Sequence, residues 1–310
     1  MSTNAYATYP SLRDRVVFVT GGGSGIGASI VEHFVEQGSR VAFVDIDRAS
    51  SEALCQRLNN SASHQPLYMY CDVRDIDALR AAIARIKDSL GDVSVLVNNA
   101  ARDDRHKMEE VTVEYWDERL AVNLRHQFFA AQACAEQMKR LGGGSIVNFG
   151  SISWMTRTGG MPAYTTSKAA IQGLTRGLAR DLGPFNIRVN TVVPGWVMTE
   201  RQRTLWLNAE GERQMDEQQC LPGRLHGPDL ARMVLFLAAD DSRMCTAQNF
   251  IVDAGWAKPE VRCQRPEVTC LQPFTPSLLH AFIAFNENHS DQNNHLQRAH
   301  AQLGLRARGD

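Results

Sequence analysis

Val16-Val17-Phe18-Val19-Thr20-Gly21-Gly22-Gly23-Ser24-Gly25-Ile26-Gly27 is the stretch on which the fold of this chain turns. Its first four residues form a continuous apolar run, as a parallel strand buried on both faces requires. After the glycines, Ile26, Ile30, Val31, Phe34 and Val35 recur at helical spacing, with Glu32, His33, Glu36 and Gln37 opposite and Gly38 as a stop. The segment reads as strand, glycine turn, helix. Glycines permit a tight turn and close backbone approach, and a helix start offers unpaired N–H groups and partial positive charge to a pyrophosphate. The spacing Gly21-x-x-x-Gly25-x-Gly27 differs from the commoner G-x-G-x-x-G, so the flanking strand and helix are what make it a candidate nucleotide site rather than a plain turn.

The alternation continues downstream. Val41–Val44 is a second strand and Leu67–Tyr70 a third, the latter followed by Cys71-Asp72-Val73. Ile76, Leu79, Ile83, Ile86 and Leu90 step by three and four, an amphipathic helix closed by Gly91. Val93–Val97 is the fourth strand and runs into Asn98-Asn99-Ala100-Ala101, ahead of a long helix with Tyr115, Trp116, Leu120 and Asn123. Ser145–Phe149, Ile187–Val193 and Phe250–Val252 complete the strands, with helices from Tyr164 and from Pro228 between them. This predicts an α/β fold: a doubly wound parallel seven-stranded sheet (Rossmann-type) in one domain over residues 12–257, after an N-terminal arm, 1–11. Ligands of such sheets bind beyond the carboxyl ends of the strands. The second strand ends at Asp45, about 20 positions past the glycines, placed to accept hydrogen bonds from an adenosine ribose and to repel a 2′-phosphate. That favours NAD over NADP; a solvated loop aspartate, or a phosphate received by Arg48, are the alternatives.

The fifth strand delivers Ser151 to its mouth, and the helix beyond carries Tyr164-Thr165-Thr166-Ser167-Lys168. Residues four apart on a helix share a face at about 6 Å, so the Lys168 ammonium is expected to favour the ionised Tyr164 phenol. A tyrosine titrates near pH 10 and is a poor base at neutrality without such help. Alone, a Tyr-x-x-x-Lys pair is common in ordinary helices; the nucleotide-binding pattern upstream gives this one its weight.

Composition narrows the ligand. With 33 basic and 34 acidic residues, the net charge of −1 gives no electrostatic reason to expect nucleic acid or an anionic membrane as a partner. The seven cysteines form no C-x-x-C pair, consistent with reduced thiols in a cytoplasmic protein. No run of about 18 apolar residues indicates a membrane span, and the polar first ten residues lack the apolar core of a secretion signal. Residues 258–310, with Pro259, Pro266, Pro273, Pro276 and many Asn and Gln, are expected to be a poorly ordered tail, with a short helix over Ser277–Phe285. Its histidines (His280, His289, His295, His300) suit no zinc pattern, and no metal is expected.

Together, Thr20-Gly21-x-x-x-Gly25-Ile26-Gly27, Asp72-Val73, Asn98-Asn99-Ala100, Asn123, Ser151, Tyr164-x-x-x-Lys168 and Pro194-Gly195 resemble the short-chain dehydrogenase/reductase family over about residues 12–257. The resemblance implies Tyr164 as catalytic base, Ser151 polarising the reacting oxygen, Lys168 holding the nicotinamide ribose and lowering the tyrosine pKa, and Asn123 supporting a water in the proton relay. It implies a cofactor site of Gly21, Ser24, Gly25, Ile26, Gly27, Asp45, Asp72, Val73, Asn99, Ala100, Tyr164, Lys168, Pro194, Gly195 and Val197. Ala101 departs from the usual glycine, which puts the local turn in question. Within the family, Tyr9-Pro10-Ser11-Leu12, Asp103-Asp104-Arg105-His106-Lys107, Ser151-Ile152-Ser153-Trp154 and Asp253-Ala254-Gly255-Trp256 are similar to NAD-dependent sugar 1-dehydrogenases, though Arg102 stands where these more often have Asn. Substrate contacts are then expected from Ser151, Ser153, Trp154, Tyr164, Arg105 and Trp196, with residues 196–221 as a covering lid. The charged 103–107 cluster reads equally as a solvated face or subunit contact. The resulting expectation is oxidation of an aldose to its lactone by a homo-oligomer, tetramer or dimer. The alternatives are an enzyme for another alcohol or ketone, such as a steroid or a 3-oxoacyl thioester, and a catalytically silent nucleotide-binding protein.

Overall fold

The computed structural model describes residues 6–59 and 62–257. The tail at 258–310, its short helix and its histidines lie outside the described residues, as do residues 1–5 of the arm.

Seven strands, β1 (Val16–Thr20), β2 (Arg40–Asp45), β3 (Leu67–Tyr70), β4 (Val95–Asn98), β5 (Gly144–Phe149), β6 (Ile187–Pro194) and β7 (Asn249–Val252), form one parallel sheet in the order β3-β2-β1-β4-β5-β6-β7. The order reverses at β1, which lies between β2 and β4, and that reversal opens a crevice at the carboxyl edge. Along β1 the side chains divide strictly by period two. Val17 and Val19 join one apolar cluster with Ile30 and Phe34 of α1 (Gly25–Glu36) and Leu230 and Val234 of α9 (Gly227–Ala238). Val16 and Phe18 join the other, with Leu79 and Ile83 of α3 (Ile76–Leu90) and Cys134 and Met138 of α5 (His126–Arg140). Both sheet faces are thus covered, and this is why the strands read as unbroken apolar runs. Each such side chain, fully buried, contributes roughly 1.5–3 kcal/mol.

Several boundaries differ from the sequence reading. β4 begins at Val95 because the N–H of the buried Val93 donates to Gln137 Oε1 at 2.9 Å instead of to the ladder. The helix bearing Tyr164, α6 (Pro162–Leu182), starts two residues earlier, with proline in its first turn where no N–H is needed. α2 (Arg48–Leu58) buries only Ser51, Leu54 and Leu58, too thin an apolar stripe to announce itself; Asp47 caps it by accepting from Ser50 N. The long helix is α4 (Val113–Leu120) joined to α5 through a π turn over Ala121–Arg125. The covering segment folds as α7 (Glu200–Leu205) and α8 (Ala209–Gln218), capped by Thr199 and Asn208.

Candidate active site

The glycine turn is closed against the end of β4. A Cβ at Gly27 would lie 1.8 Å from the Gly21 carbonyl oxygen and 2.7 Å from Asn99 Nδ2, and one at Gly21, where φ is +66°, would lie 2.8 Å from Ala100 Cα. Asn99 donates to the carbonyls of Thr20 and Gly21 at 3.1 and 2.8 Å, while Thr20 Oγ1 accepts from the N–H groups of Asn99 and Ala100. The turn is therefore held open for a ligand by backbone that has no room for side chains, as a dinucleotide phosphate cradle requires. Ala101 is absent from the residues with positive φ, so its methyl group meets no backbone penalty.

Asp45 faces this turn. Its Oδ2 accepts from Gly23 N and its Oδ1 from Asp47 N, both at 2.9 Å. Arg48 lies over the Tyr70 ring, 4.1 Å from the centroid. Asp72, expected beside an adenine, has both oxygens bonded to Arg74, at 2.6 to 3.0 Å, and the Arg74–Asp72 pair depresses the carboxyl below its ordinary range. Val73 is buried beneath it.

At the mouth of β5, Ser151 Oγ accepts from Ser153 N at 3.1 Å, and its hydroxyl is engaged with the Tyr164 phenol. Lys168 is 2% exposed and donates from Nζ to the Phe149 carbonyl at 2.8 Å; Nζ is 5.6 Å from the Tyr164 ring centroid. Burial pushes the Lys168 ammonium down to about 7, against the pull of Asp103. The Tyr164 phenol is raised well above its ordinary value, by desolvation first and by the Asp103 carboxylate second; the Ser151 hydrogen bond and Arg105 pull the other way. The groups that favour phenolate here are Ser151 and Arg105.

Asn123 sits on the π turn. Its side chain spans the backbone of Arg102, accepting from the N–H at 2.8 Å and donating to the carbonyl at 3.1 Å, and its own carbonyl accepts from Gln127 Nε2 at 3.2 Å. It thereby fixes the start of the 101–107 loop. His126, one residue past that turn, is fully buried, and burial, then the Lys168 charge, push it down to about 3 against long, poorly aligned contacts to the Ala121 and Val122 backbone.

The 101–107 loop and the lid meet across the cleft. Arg201 of α7 reaches Asp103 Oδ1 at 3.4 Å and Asp104 Oδ1 at 2.6 Å, and Gln202 Nε2 donates to Asp103 Oδ2 at 2.6 Å. Arg105 lies 5.3 Å from the Trp206 ring centroid, with Nη1 3.6 Å from Met161 Sδ. Burial would raise the Asp104 carboxyl, but Arg102, Arg119 and Arg201 outweigh it and hold it low. Trp196 donates to Gln202 Oε1 at 2.9 Å and packs under the lid, where a Cβ at Gly211 would lie 2.7 Å from its ring.

Of the residues singled out from sequence, Ser151, Tyr164, Lys168 and Arg105 converge on one cleft, whereas Asn123 acts on the loop backbone and Trp196 supports the lid. Ser153 Oγ and Trp154 Nε1, beside Ser151, are buried and unpartnered. Sequence reasoning passed over Gln202 and noted Trp206 only as part of the covering segment, the place in a long connection being the only signal of either. It also gave no individual role to Asp103.

Comparison with known proteins bears on the same residues. Residues 21–257 match the family described as Enoyl-(Acyl carrier protein) reductase. The chain is 55% identical over 247 residues, 80% of its length and 96% of the relative's, to the "Probable galactose dehydrogenase GalD" of Rhizobium meliloti (strain 1021). It is 50% identical over 250 residues, 81% of its length and 98% of the relative's, to the "D-xylose 1-dehydrogenase" of Caulobacter vibrioides (strain NA1000 / CB15N). A solved short-chain type dehydrogenase/reductase from Mycobacterium ulcerans superposes with a TM-score of 0.76 at 26% identity, covering 81% of this chain and 91% of that one.

Proposed function

The chain belongs to the short-chain dehydrogenase/reductase family, and on that premise we propose that it oxidises the anomeric carbon of an aldose to the aldonolactone, with NAD as cofactor and Tyr164 as general base. The observation that carries the reading is the convergence of Tyr164, Ser151 and Lys168 in a chain half or more identical to a galactose and a xylose dehydrogenase.

A bound nicotinamide supplies the acceptor for the hydride that leaves C1. The Gly21–Gly27 turn and the start of α1 would hold its pyrophosphate, Asp45 the adenosine ribose, and Asn99, Ala100, Pro194, Gly195 and Val197 the nicotinamide end, with Asp72 and Val73 at the adenine. Two observations favour NAD over NADP: the Asp45 carboxylate faces the turn, and Arg48 is drawn away over Tyr70. Tyr164 takes the proton of the anomeric hydroxyl while Ser151, held by the Ser153 N–H, turns its hydroxyl from the phenol to the same oxygen. Lys168 holds the ribose, and Asn123 keeps the 101–107 loop in place above the reacting atoms. Sugar hydroxyls need directional partners, and Arg105, Ser153 and Trp154 supply polar atoms at the cleft, two of them otherwise unpartnered.

We extend the proposal to a homo-oligomer, because Phe128 on α5 and Ile251 on the edge strand β7 are 40% and 41% exposed. The catalytic reading is tested by NADH formation across a panel of free aldoses, secondary alcohols, steroids and 3-oxoacyl thioesters. Oxidation of D-xylose, L-arabinose, D-galactose or L-fucose with a lactone as first product is expected; activity on steroids or thioesters and on no aldose would overturn it.

A further inference from the structure

Among the described residues, Asp103 is the one carboxylate whose charge acts on both Tyr164 and Lys168. Its side chain is 18% exposed, and the lid is bonded to it at both oxygens. The two bonds are unequal. Oδ2 receives Gln202 Nε2 at 2.6 Å, and that amide cannot turn away freely because Trp196 Nε1 holds its oxygen at 2.9 Å. Oδ1 receives only Arg201 Nε, at 3.4 Å, and Arg201 already has a shorter bond to Asp104 at 2.6 Å. One oxygen of Asp103 is therefore committed to the lid, and the other is loosely occupied by a group that has somewhere else to go. Around it stand Arg201, Arg105, Tyr164 and Lys168, with Asp104 neutralised by Arg102, Arg119 and Arg201.

We propose that Asp103 joins lid closure to substrate recognition: Oδ2 keeps Gln202 while Oδ1 releases Arg201 to Asp104 and accepts the hydroxyl vicinal to the reacting one, the 2-hydroxyl of an aldose. This rests on the aldose reading above and deepens it, since it defines the substrate class as a vicinal diol at C1 and C2. A carboxylate is a pure acceptor with several lone pairs, so it holds a lid amide and a substrate hydroxyl together, which a neutral amide or a hydroxyl does less well. A polyol lacking that hydroxyl leaves Oδ1 with its poor arginine contact, and the lid closes over it without gain. The apolar side of the lid, Trp206 beside Arg105, then shuts the cleft over the substrate's ring face.

The test uses the full chain with Asp103→Ala and the near-isosteric Asp103→Asn, the latter standing in if the alanine variant melts early. The first readout needs no substrate: trypsin cleavage at Arg201, Arg203 and Arg213 in the lid. Loss of the latch is expected to speed cleavage there at least ~5-fold in the alanine variant, with the melting temperature of the domain unchanged, because local opening costs far less than global unfolding. The second is the ratio of kcat/KM for an aldose to that for its 2-deoxy analogue, with KM and kcat separated. In the unaltered protein the ratio is expected to be on the order of 10² or more, since a site built for a hydroxyl rejects its absence. In the alanine variant it is expected to collapse to within ~5-fold, because the removed partner can no longer sense the removed hydroxyl, while asparagine, which keeps one acceptor oxygen, is expected to fall between. Unchanged lid cleavage in the alanine variant, or a deoxy penalty that persists in both variants, overturns the inference. Failure of the aldose reading looks different, since the unaltered protein would then oxidise no aldose at all while the trypsin arm still reports on the latch.

Discussion

The tightest glycine site among the described residues is also the most demanding test of the cofactor cradle. In Gly27→Ala the new methyl carbon would stand 1.8 Å from the Gly21 carbonyl oxygen. A tolerable carbon–oxygen contact is above 3 Å, so the turn and α1 must part by more than an ångström. Neither side is a flexible side chain. The parting breaks the 2.8 Å bond from Asn99 Nδ2 to that same oxygen, worth about 0.5–1.5 kcal/mol, on top of an overpacking cost of about 1–3 kcal/mol. The expected loss is therefore ~2–4 kcal/mol by urea unfolding, which for a domain of this size lowers the melting temperature by roughly 5–15 °C. Because the displaced atoms form the phosphate cradle, the NADH dissociation constant, followed by fluorescence titration, is expected to rise at least ~10-fold, equivalent to ~1.4 kcal/mol of lost binding. A variant that melts within ~2 °C of the parent and binds NADH equally well would show that the turn does not need its bare backbone; this would refute the reasoning.

Three further outcomes follow from the site. Tyr164→Phe keeps the packing and removes the base, so kcat should fall by ~10² to 10⁴ while NADH affinity stays within about twofold; near-parental turnover would remove Tyr164 from the mechanism. Asp45→Ala should lower the NAD-to-NADP ratio of kcat/KM at least ~10-fold through loss of ribose bonds and phosphate repulsion, and faster turnover of the parent with NADP at equal low concentration would sink the assignment. His126, pushed from 6.5 to about 3 by burial, takes up a proton in the unfolded chain but not in the folded one as pH falls below about 6.5. Stability is therefore lost on acidification across that window, at up to ~1.4 kcal/mol per pH unit. His126→Gln should flatten this slope between pH 6.5 and 5 in urea titrations, and parallel slopes for variant and parent would contradict the burial argument.

The fold was legible because the burial of both sheet faces writes itself into the strands: Val16–Val19 and Val41–Val44 admit no polar residue, and Gly21 after the first is forced by geometry. The proposed reacting residues were legible because Tyr164 and Lys168 share one helix and Ser151 follows one strand, a spacing that gained its weight from the glycine turn upstream and the family resemblance. Tyrosine electrostatics were not, since the balance between desolvation, Asp103, Ser151 and Arg105 depends on four segments far apart in sequence. α2 and α8 were missed for a simpler reason. Their buried stripes are too short to set a period, Met215 being the one large apolar anchor of α8. The bonds of Asn123 and Trp196 to Arg102 and Gln202 give them work on the loop and on the segment above it that no one-dimensional pattern records.

The two lid helices are fastened by different forces. α8 buries Met215 completely and rests on Trp196, whereas α7 buries nothing and is held by Arg201 and Gln202. Ionic screening reaches only the second kind of fastening: the Debye length shortens from about 10 Å at 0.1 M to about 3 Å at 1 M. Rising ionic strength therefore weakens the Arg201 contacts of α7 while its Gln202 bonds and the hydrocarbon seat of α8 stay in place, making the cleft a door hinged on hydrocarbon and bolted only in part by charge.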